Sequence, residues 1–162
     1  MGRVADLAEA IVQRQRWRAA GQRVVLTNGC FDLLHIGHVH YLEQARALGD
    51  ALIVGVNGDA SVRRLKGPGR PLVPAAERVA LVAALAAVDL AVLFEEDTAA
   101  GLLAALRPDV YAKGGDWGPG GKRLPEADMA HAVGATLHYI AYQEGHSTSR
   151  LLQRILEHMK GA

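Results

Sequence analysis

Arg23-Val-Val-Leu-Thr-Asn-Gly-Cys-Phe-Asp-Leu-Leu-His-Ile-Gly-His38 is the stretch from which the rest of the chain is read. Its first five residues form a short apolar run bounded by Asn28-Gly29, the mark of a buried strand. Over residues 39–48 the apolar positions take up helical spacing, and Gly49-Asp50 ends it. A strand therefore passes through a polar loop into a helix, and the unusual residues sit in that loop.

Working outward, Val4, Leu7, Ala8, Ile11 and Val12 recur at helical spacing. They predict an N-terminal helix within residues 1–22, packed on a domain of residues 23–162. Residues 51–56 read as a second buried strand, closed by Asn57-Gly-Asp59. Residues 58–74 are polar, basic and rich in Gly and Pro, the composition of a long functional loop. Helix is expected over 75–87, strand over 90–94, and a helix to residue 106 that Thr98 could cap. Strand 110–112, a glycine-rich loop over 114–121, helix 125–133, strand 136–140 and helix 147–159 complete the chain. Strands alternating with helices, and strands that are continuous apolar runs, predict a single-domain α/β fold. The expected architecture is a Rossmann-like, doubly wound, parallel five-stranded sheet with helices on both faces. Ligands in such folds bind beyond the carboxyl ends of the strands. The informative loops are then those starting at Thr27, Asn57, Phe94, Ala112 and Ala141.

Composition narrows the function classes. Half of the 162 residues are apolar, and the formal net charge is only +1. No global field favours nucleic acid or an anionic membrane, and the basic run Arg14-Gln-Arg-Trp-Arg18 reads as the solvated face of a helix. Cys30, the single cysteine, excludes an internal disulfide or a cysteine metal cluster and fits a reducing compartment. No run approaches the roughly 20 apolar residues of a membrane span, and no signal-peptide core opens the chain. A cytoplasmic location is expected, with neither membrane nor nucleic acid as partner.

Chemistry concentrates where the opening stretch ends. His35 and His38 are three apart, and Gly37 between them lets a backbone approach closely. His38 falls at a helix start, where free N–H groups and the macrodipole favour phosphate. Two imidazoles converging there suit charge developing on a phosphoryl oxygen. His35, His38 and His40 also hold the elements of a zinc site. Against that, His38 and His40 point to different sides of a helix, and Glu43 is the one carboxylate nearby. The first turn lacks the Gly-x-Gly-x-x-Gly of dinucleotide binding.

Asn28-Gly-Cys-Phe-Asp32 followed by His35-Ile-Gly-His38 resembles the opening motif of the cytidylyltransferase-like nucleotidyltransferase superfamily. Ser147-Thr-Ser149 is similar to its Ser-Thr-Thr-type motif, ending here in Ser. A narrower resemblance, over residues 24–155, is to the heptose 1-phosphate adenylyltransferase branch, the nucleotidyl half of bifunctional ADP-heptose synthases. Val56-Asn-Gly-Asp-Ala60, Arg64-Leu-Lys-Gly-Pro-Gly-Arg-Pro71, Phe94-Glu-Glu-Asp-Thr98 and Lys113-Gly-Gly-Asp116 carry it. Gly118-Pro-Gly-Gly-Lys-Arg123 is richer in glycine than that branch leads one to expect.

The resemblance implies transfer of AMP from ATP, with Mg²⁺, to D-glycero-β-D-manno-heptose 1-phosphate. It places His35, His38 and Lys66 in catalysis. Asn28, Gly29, Cys30, Phe31, Gly37, Ser147, Thr148 and Ser149 are assigned to the nucleotide, and Asp32, Asp59, Arg70 and Lys113 to the sugar phosphate. For Asp32 and Asp59 the roles left open are binding sugar hydroxyls, orienting a basic side chain or helping to hold hydrated Mg²⁺. Backbone over 141–144 is expected to read the base. Mg²⁺ would be held mainly by nucleotide phosphates rather than by protein ligands. With no kinase half present, a separate heptose kinase would supply the substrate, and a homodimer is the expected assembly. The alternatives are cytidylyl transfer to glycerol 3-phosphate or a related alcohol phosphate, and a non-catalytic nucleotide-binding module.

Overall fold

The computed structural model describes residues 2–115, 117, 121–141 and 147–160. In chain order the elements are β1 (Arg3–Ala5), α1 (Leu7–Ala19), β2 (Val24–Gly29), α2 (Ile36–Arg46), β3 (Ala51–Asn57), α3 (Asp59–Lys66) and α4 (Ala75–Ala83). After them come β4 (Leu90–Phe94), α5 (Ala100–Leu106), β5 (Val110–Gly114), α6 (Ala127–Ala132), β6 (Thr136–Ile140) and α7 (Thr148–Lys160). The strands form one sheet in the order β1-β4-β3-β2-β5-β6, and every pairing is parallel.

Side chains alternate across a strand, so apolar runs fill two cores at once. Val24, Leu26, Ile53, Val92 and Tyr111 pack on one face with Ala10 of α1, Leu103 of α5 and Ala130 of α6. Val25, Leu52, Val54, Ala91 and Val110 pack on the other with Leu42 of α2 and Val79 and Val82 of α4. The chain winds outward from β2 in both directions, through β3 to one edge and through β5 to the other. The crevice between the ends of β2 and β5 is thus the topological switch point.

The doubly wound parallel sheet is as expected, but it has six strands rather than five. The additional strand, β1, takes Val4 out of the expected N-terminal helix and pairs Arg3 to Ala5 with Leu90 to Val92 of β4. A capping box sets the true helix start: Asp6 Oδ1 accepts from Glu9 N–H at 2.8 Å, and Glu9 Oε2 from Asp6 N–H at 3.0 Å. The Arg14 to Arg18 run is not wholly solvated either. Arg14 is buried and bonds Asp109 at 3.1 Å and the Arg107 carbonyl at 2.9 Å. Residues 58–74 are not one loop, since α3 occupies the first half. That helix buries only Ser61 and Val62, which left too little apolar period for its sequence to announce it. Ala99, not Thr98, is the N-cap of α5, and its N–H donates to Glu126 Oε1 at 3.1 Å.

Gly49 connects α2 to β3 at the amino edge of the sheet, away from the switch point. A Cβ there would lie 2.6 Å from the Arg23 carbonyl oxygen and 2.8 Å from Val25 Cγ2. That carbonyl already accepts from Asp50 N–H at 2.7 Å, so it is not free to move. Gly49→Ala should cost about 1–3 kcal/mol of stability, read as a lower urea midpoint at unchanged slope. An unchanged midpoint would show that the turn relaxes freely.

Candidate active site

β2 ends in Asn28-Gly29 and enters a turn whose geometry places the histidines. Phe31 takes a left-handed φ of 48°, a sparsely populated conformation for an aromatic residue. The turn folds its ring back over Gly29, where a Cβ would lie 3.0 Å from Phe31 Cε2. The same ring sits 5.4 Å from that of His38. His35 is the N-cap of α2 in extended backbone, and its N–H donates to His38 Nδ1 at 3.3 Å. The two imidazole centroids are 3.9 Å apart. A neutral His38 that accepts at Nδ1 carries its proton on Nε2. Burial, and then the neighbouring His35, bring the His38 pKa down to about 4.

At the switch point Asn28 Oδ1 accepts from both Tyr111 Oη at 2.6 Å and Lys113 Nζ at 2.8 Å. One amide thus joins the carboxyl ends of β2 and β5. Lys113 also lies 4.0 Å from Glu126. Burial lowers its pKa, against the opposing pull of that carboxylate. Tyr41 of α2 closes the crevice from the other side. Its hydroxyl donates to the Ala112 carbonyl at 3.3 Å, which makes Thr27 Oγ1, 2.5 Å away, the donor of that pair. The ring passes so near Gly114 that a Cβ there would lie 2.9 Å from Tyr41 Cε2.

Asp32 is buried, and its carboxylate is spent on one segment. Oδ1 accepts from Leu72 N–H at 2.8 Å and Val73 N–H at 2.9 Å, and Oδ2 accepts from Arg70 Nε. Burial alone would raise its pKa. The Val73 and Leu72 N–H groups and the Arg70 guanidinium outweigh that and hold the carboxyl below the usual carboxylate range. Arg78 of α4 is fully buried. It donates to the Val73 carbonyl at 2.8 Å, to the Cys30 carbonyl at 2.5 Å and to Asp59 Oδ1 at 2.8 Å.

The start of α7 lines the same cleft as the histidines. Ser147 Oγ accepts from Arg150 N–H at 3.1 Å, an N-cap. First-turn N–H groups of a helix have no intrahelical partner, and here they lie with three hydroxyl side chains on the cleft.

These elements enclose a cleft of about 630 Å³. His35, His38, Lys66, Asn28, Gly29, Cys30, Phe31, Gly37, Ser147, Thr148, Ser149, Asp32, Arg70 and Lys113 all line it. Asp59 does not. Its carboxylate meets Arg78, which leaves it the orienting of a basic side chain among the roles expected for it. Arg64 of the expected basic loop turns away too, to Asp97 at 2.7 Å and the Glu95 carbonyl at 2.9 Å. Tyr41, Asn57, Thr98, Trp117 and Glu126 line the cleft as well. Thr98 and Trp117 fall in or beside segments quoted above, whereas nothing near Glu126 in sequence pointed to it. Asp116, residues 118–120 of the glycine-rich segment and residues 142–144 of the base-reading backbone lie outside the described residues.

Among the described residues no three His, Cys, Asp or Glu side chains come together as a metal site, and no helix is long and apolar enough to cross a membrane. A magnesium ion, as implied by the resemblance, fits the lining only if substrate phosphates supply most of its oxygen ligands. The one buried carboxylate beside the histidines, Asp32, is already engaged.

Sequence comparison agrees with this geometry. The cytidylyltransferase-like family matches residues 26–151. Bifunctional protein HldE of Magnetococcus marinus is 50% identical over 153 residues, which are 94% of this chain and 31% of that protein. The protein of the same name from Methylococcus capsulatus is 50% identical over 152 residues, again 94% of this chain and 31% of the relative. The chain thus spans about a third of the length of these curated relatives. A solved structure of a lipopolysaccharide core biosynthesis protein from Thermoplasma volcanium is 31% identical, with a TM-score of 0.61. The match covers 76% of this chain and 98% of that one.

The geometry makes His38 a neutral Nε2–H donor. Its folded pKa lies below the unfolded value, so the unfolded chain takes up this proton first. The resulting loss of stability accrues as pH falls from about 6.5 towards 4. Nitrogen-15 NMR of the imidazole should show one Nε2–H tautomer, unchanged from pH 8 to about 5.5. Titration of His38 near 6.5 would contradict the arrangement.

Proposed function

Because the chain belongs to the cytidylyltransferase-like family, we propose that it is a nucleotidyltransferase that transfers AMP from ATP to D-glycero-β-D-manno-heptose 1-phosphate. The observation that carries this reading is the cleft itself. The histidines at the start of α2 and the hydroxyl-capped start of α7 face one space, with Lys113 at the switch point between them. That is an anion site with donors on two sides. The sugar rests on the resemblance of the Arg64 to Pro71 and Lys113 to Asp116 stretches to the heptose branch. The names of the relatives and of the solved neighbour support it.

The acceptor phosphate, with a second pKa of about 6, is largely dianionic at neutral pH and needs no general base. One of its oxygens forms a bond to the α-phosphorus of ATP. The bond from that phosphorus to the bridging oxygen of the β-phosphate breaks, and pyrophosphate leaves with the electron pair. Positioning and charge neutralisation then supply the catalysis. His38 donates Nε2–H to a phosphoryl oxygen without carrying charge itself, and His35 holds that ring through its backbone N–H. Lys66, Arg70 and Lys113 supply positive charge, and the start of α7 supplies N–H and hydroxyl donors. Magnesium would be held mainly by the nucleotide phosphates and would supply further neutralisation of their charge. In the larger scheme a sugar kinase activity supplies the acceptor.

Pyrophosphate release with Mg²⁺ should be measured for ATP and CTP, each against heptose 1-phosphate and glycerol 3-phosphate. Release is expected with ATP and the heptose phosphate, and His38→Ala should lower turnover by about 10²–10³-fold with the fold intact. Release only with CTP and glycerol phosphate would move the enzyme to the other branch. Near-normal turnover in His38→Ala would sink the assignment of that residue.

A further inference from the structure

Arg70 is the one arginine among the described residues that line the cleft. Its Nε donates to Asp32, and among the described residues neither terminal amino group makes a hydrogen bond with the protein. Arg64, six residues earlier, has its guanidinium committed to Asp97 and the Glu95 carbonyl. Lys113 is held by Asn28. Arg70 lines the cleft, yet its side chain is only 18% exposed. It is thus an ordered arginine, anchored at one nitrogen, with the two nitrogens that make a bidentate fork left over.

The anchor fixes both Arg70 and the backbone that carries it. The Asp32 side chain is 1% exposed. Its oxygens are occupied by the Leu72 and Val73 N–H groups and by Arg70, so it has no acceptor capacity to offer a sugar hydroxyl. Arg78 fixes the far side of the same segment by taking the Val73 carbonyl while also holding that of Cys30. The backbone that carries Arg70 is therefore tied to the turn before the histidines at two points. An arm that had to swing in would lose rotamer freedom on binding, about 0.5–1.5 kcal/mol per side chain. Arg70 has already lost it.

We propose that Asp32 is a positioning residue that holds Arg70 by its Nε, so that the two free amino groups of Arg70 grip phosphate oxygens of a substrate in the cleft. This deepens the nucleotidyl-transfer reading and rests on it for the identity of the phosphate, which is either the triphosphate of the nucleotide or the phosphate of the sugar. Asp32 acts through Arg70 rather than on the substrate.

A double-mutant cycle tests this. Asp32→Asn keeps a carbonyl oxygen for the Leu72 and Val73 N–H groups but removes the charge that anchors Arg70. Arg70→Ala removes the fork. Each single variant should lower kcat/KM by about 10²-fold, and the double variant should be no worse than Arg70→Ala alone. A rise in KM for ATP alone assigns the fork to the nucleotide, and a rise for the sugar phosphate alone assigns it to the acceptor. A merely structural Asp32 would give additive losses in the cycle, and that result overturns the proposal. So does wild-type kcat/KM in Arg70→Ala. Should Asp32→Asn fail to fold, Arg70→Lys replaces it, since a lysine has neither the anchored Nε nor the fork and should behave as Arg70→Ala does. Calorimetric binding of inorganic pyrophosphate gives a readout free of turnover. Both single variants should weaken it about 10-fold or more, and unchanged binding in both, together with a wild-type enzyme that turns over, rejects the fork. A wild-type enzyme silent with every substrate pair, yet showing this Arg70-dependent binding, would reject the transferase reading and leave the anion fork standing.

Discussion

The carboxyl edge of the sheet depends on one buried guanidinium. Arg78 leaves α4 and ends among three pieces of chain: the turn after β2 at Cys30, the segment before α4 at Val73 and the start of α3 at Asp59. A charge without solvent is tolerated only when its donors are met, and these three acceptors meet them. Two are carbonyls of residues that lie outside any strand or helix. The arginine is therefore both satisfied and obligatory, because removing it would strand acceptors on separate loops. Asp32 mirrors it with the opposite sign, gathering N–H groups where Arg78 gathers carbonyls. Between them they turn a crossover that sequence presents as loose into a fixed wall of the cleft.

Much of the architecture was legible in the chain because β2, β3 and β4 are buried on both faces. A strand with two apolar faces has no alternation to hide in, and its glycine- and asparagine-marked ends show plainly. What escaped were elements whose stabilisation is not apolar. β1 is three residues long and exposes Val4 on the sheet edge, so its spacing could be absorbed into the helix that follows. α3 is held by its ends rather than by a stripe. Arg14 looked solvated because an arginine at helical spacing carries no sign of Asp109, which lies 95 residues away.

The candidate site divides in the same way. The histidines, the hydroxyl cap of α7, Lys113 and Arg70 are contiguous motifs, and motifs survive being read in one dimension. Asp59 belongs to such a motif too, and of the roles expected for it the fold uses the orienting of a basic side chain, that of Arg78. Tyr41 and Glu126 reach the cleft from a helix face and from a segment before α6. The folded sheet, with β2 paired beside β5, makes them neighbours of Thr27 and Lys113. Their sequence surroundings hold no record of that pairing.

The stacked imidazoles carry a consequence of another kind. A histidine kept neutral to about pH 4 guides an oxygen by direction alone, and a guanidinium never surrenders its proton near neutrality. On the proposed reading, in which Arg70 and His38 are its donors, this part of the cleft is electrically stiff. A shift of ambient acidity across the neutral range alters the ionic form of what is bound and leaves these two donors as they were. On that reading the group that titrates is the ligand and not these two contacts, so their response to acidity is borrowed from what they hold.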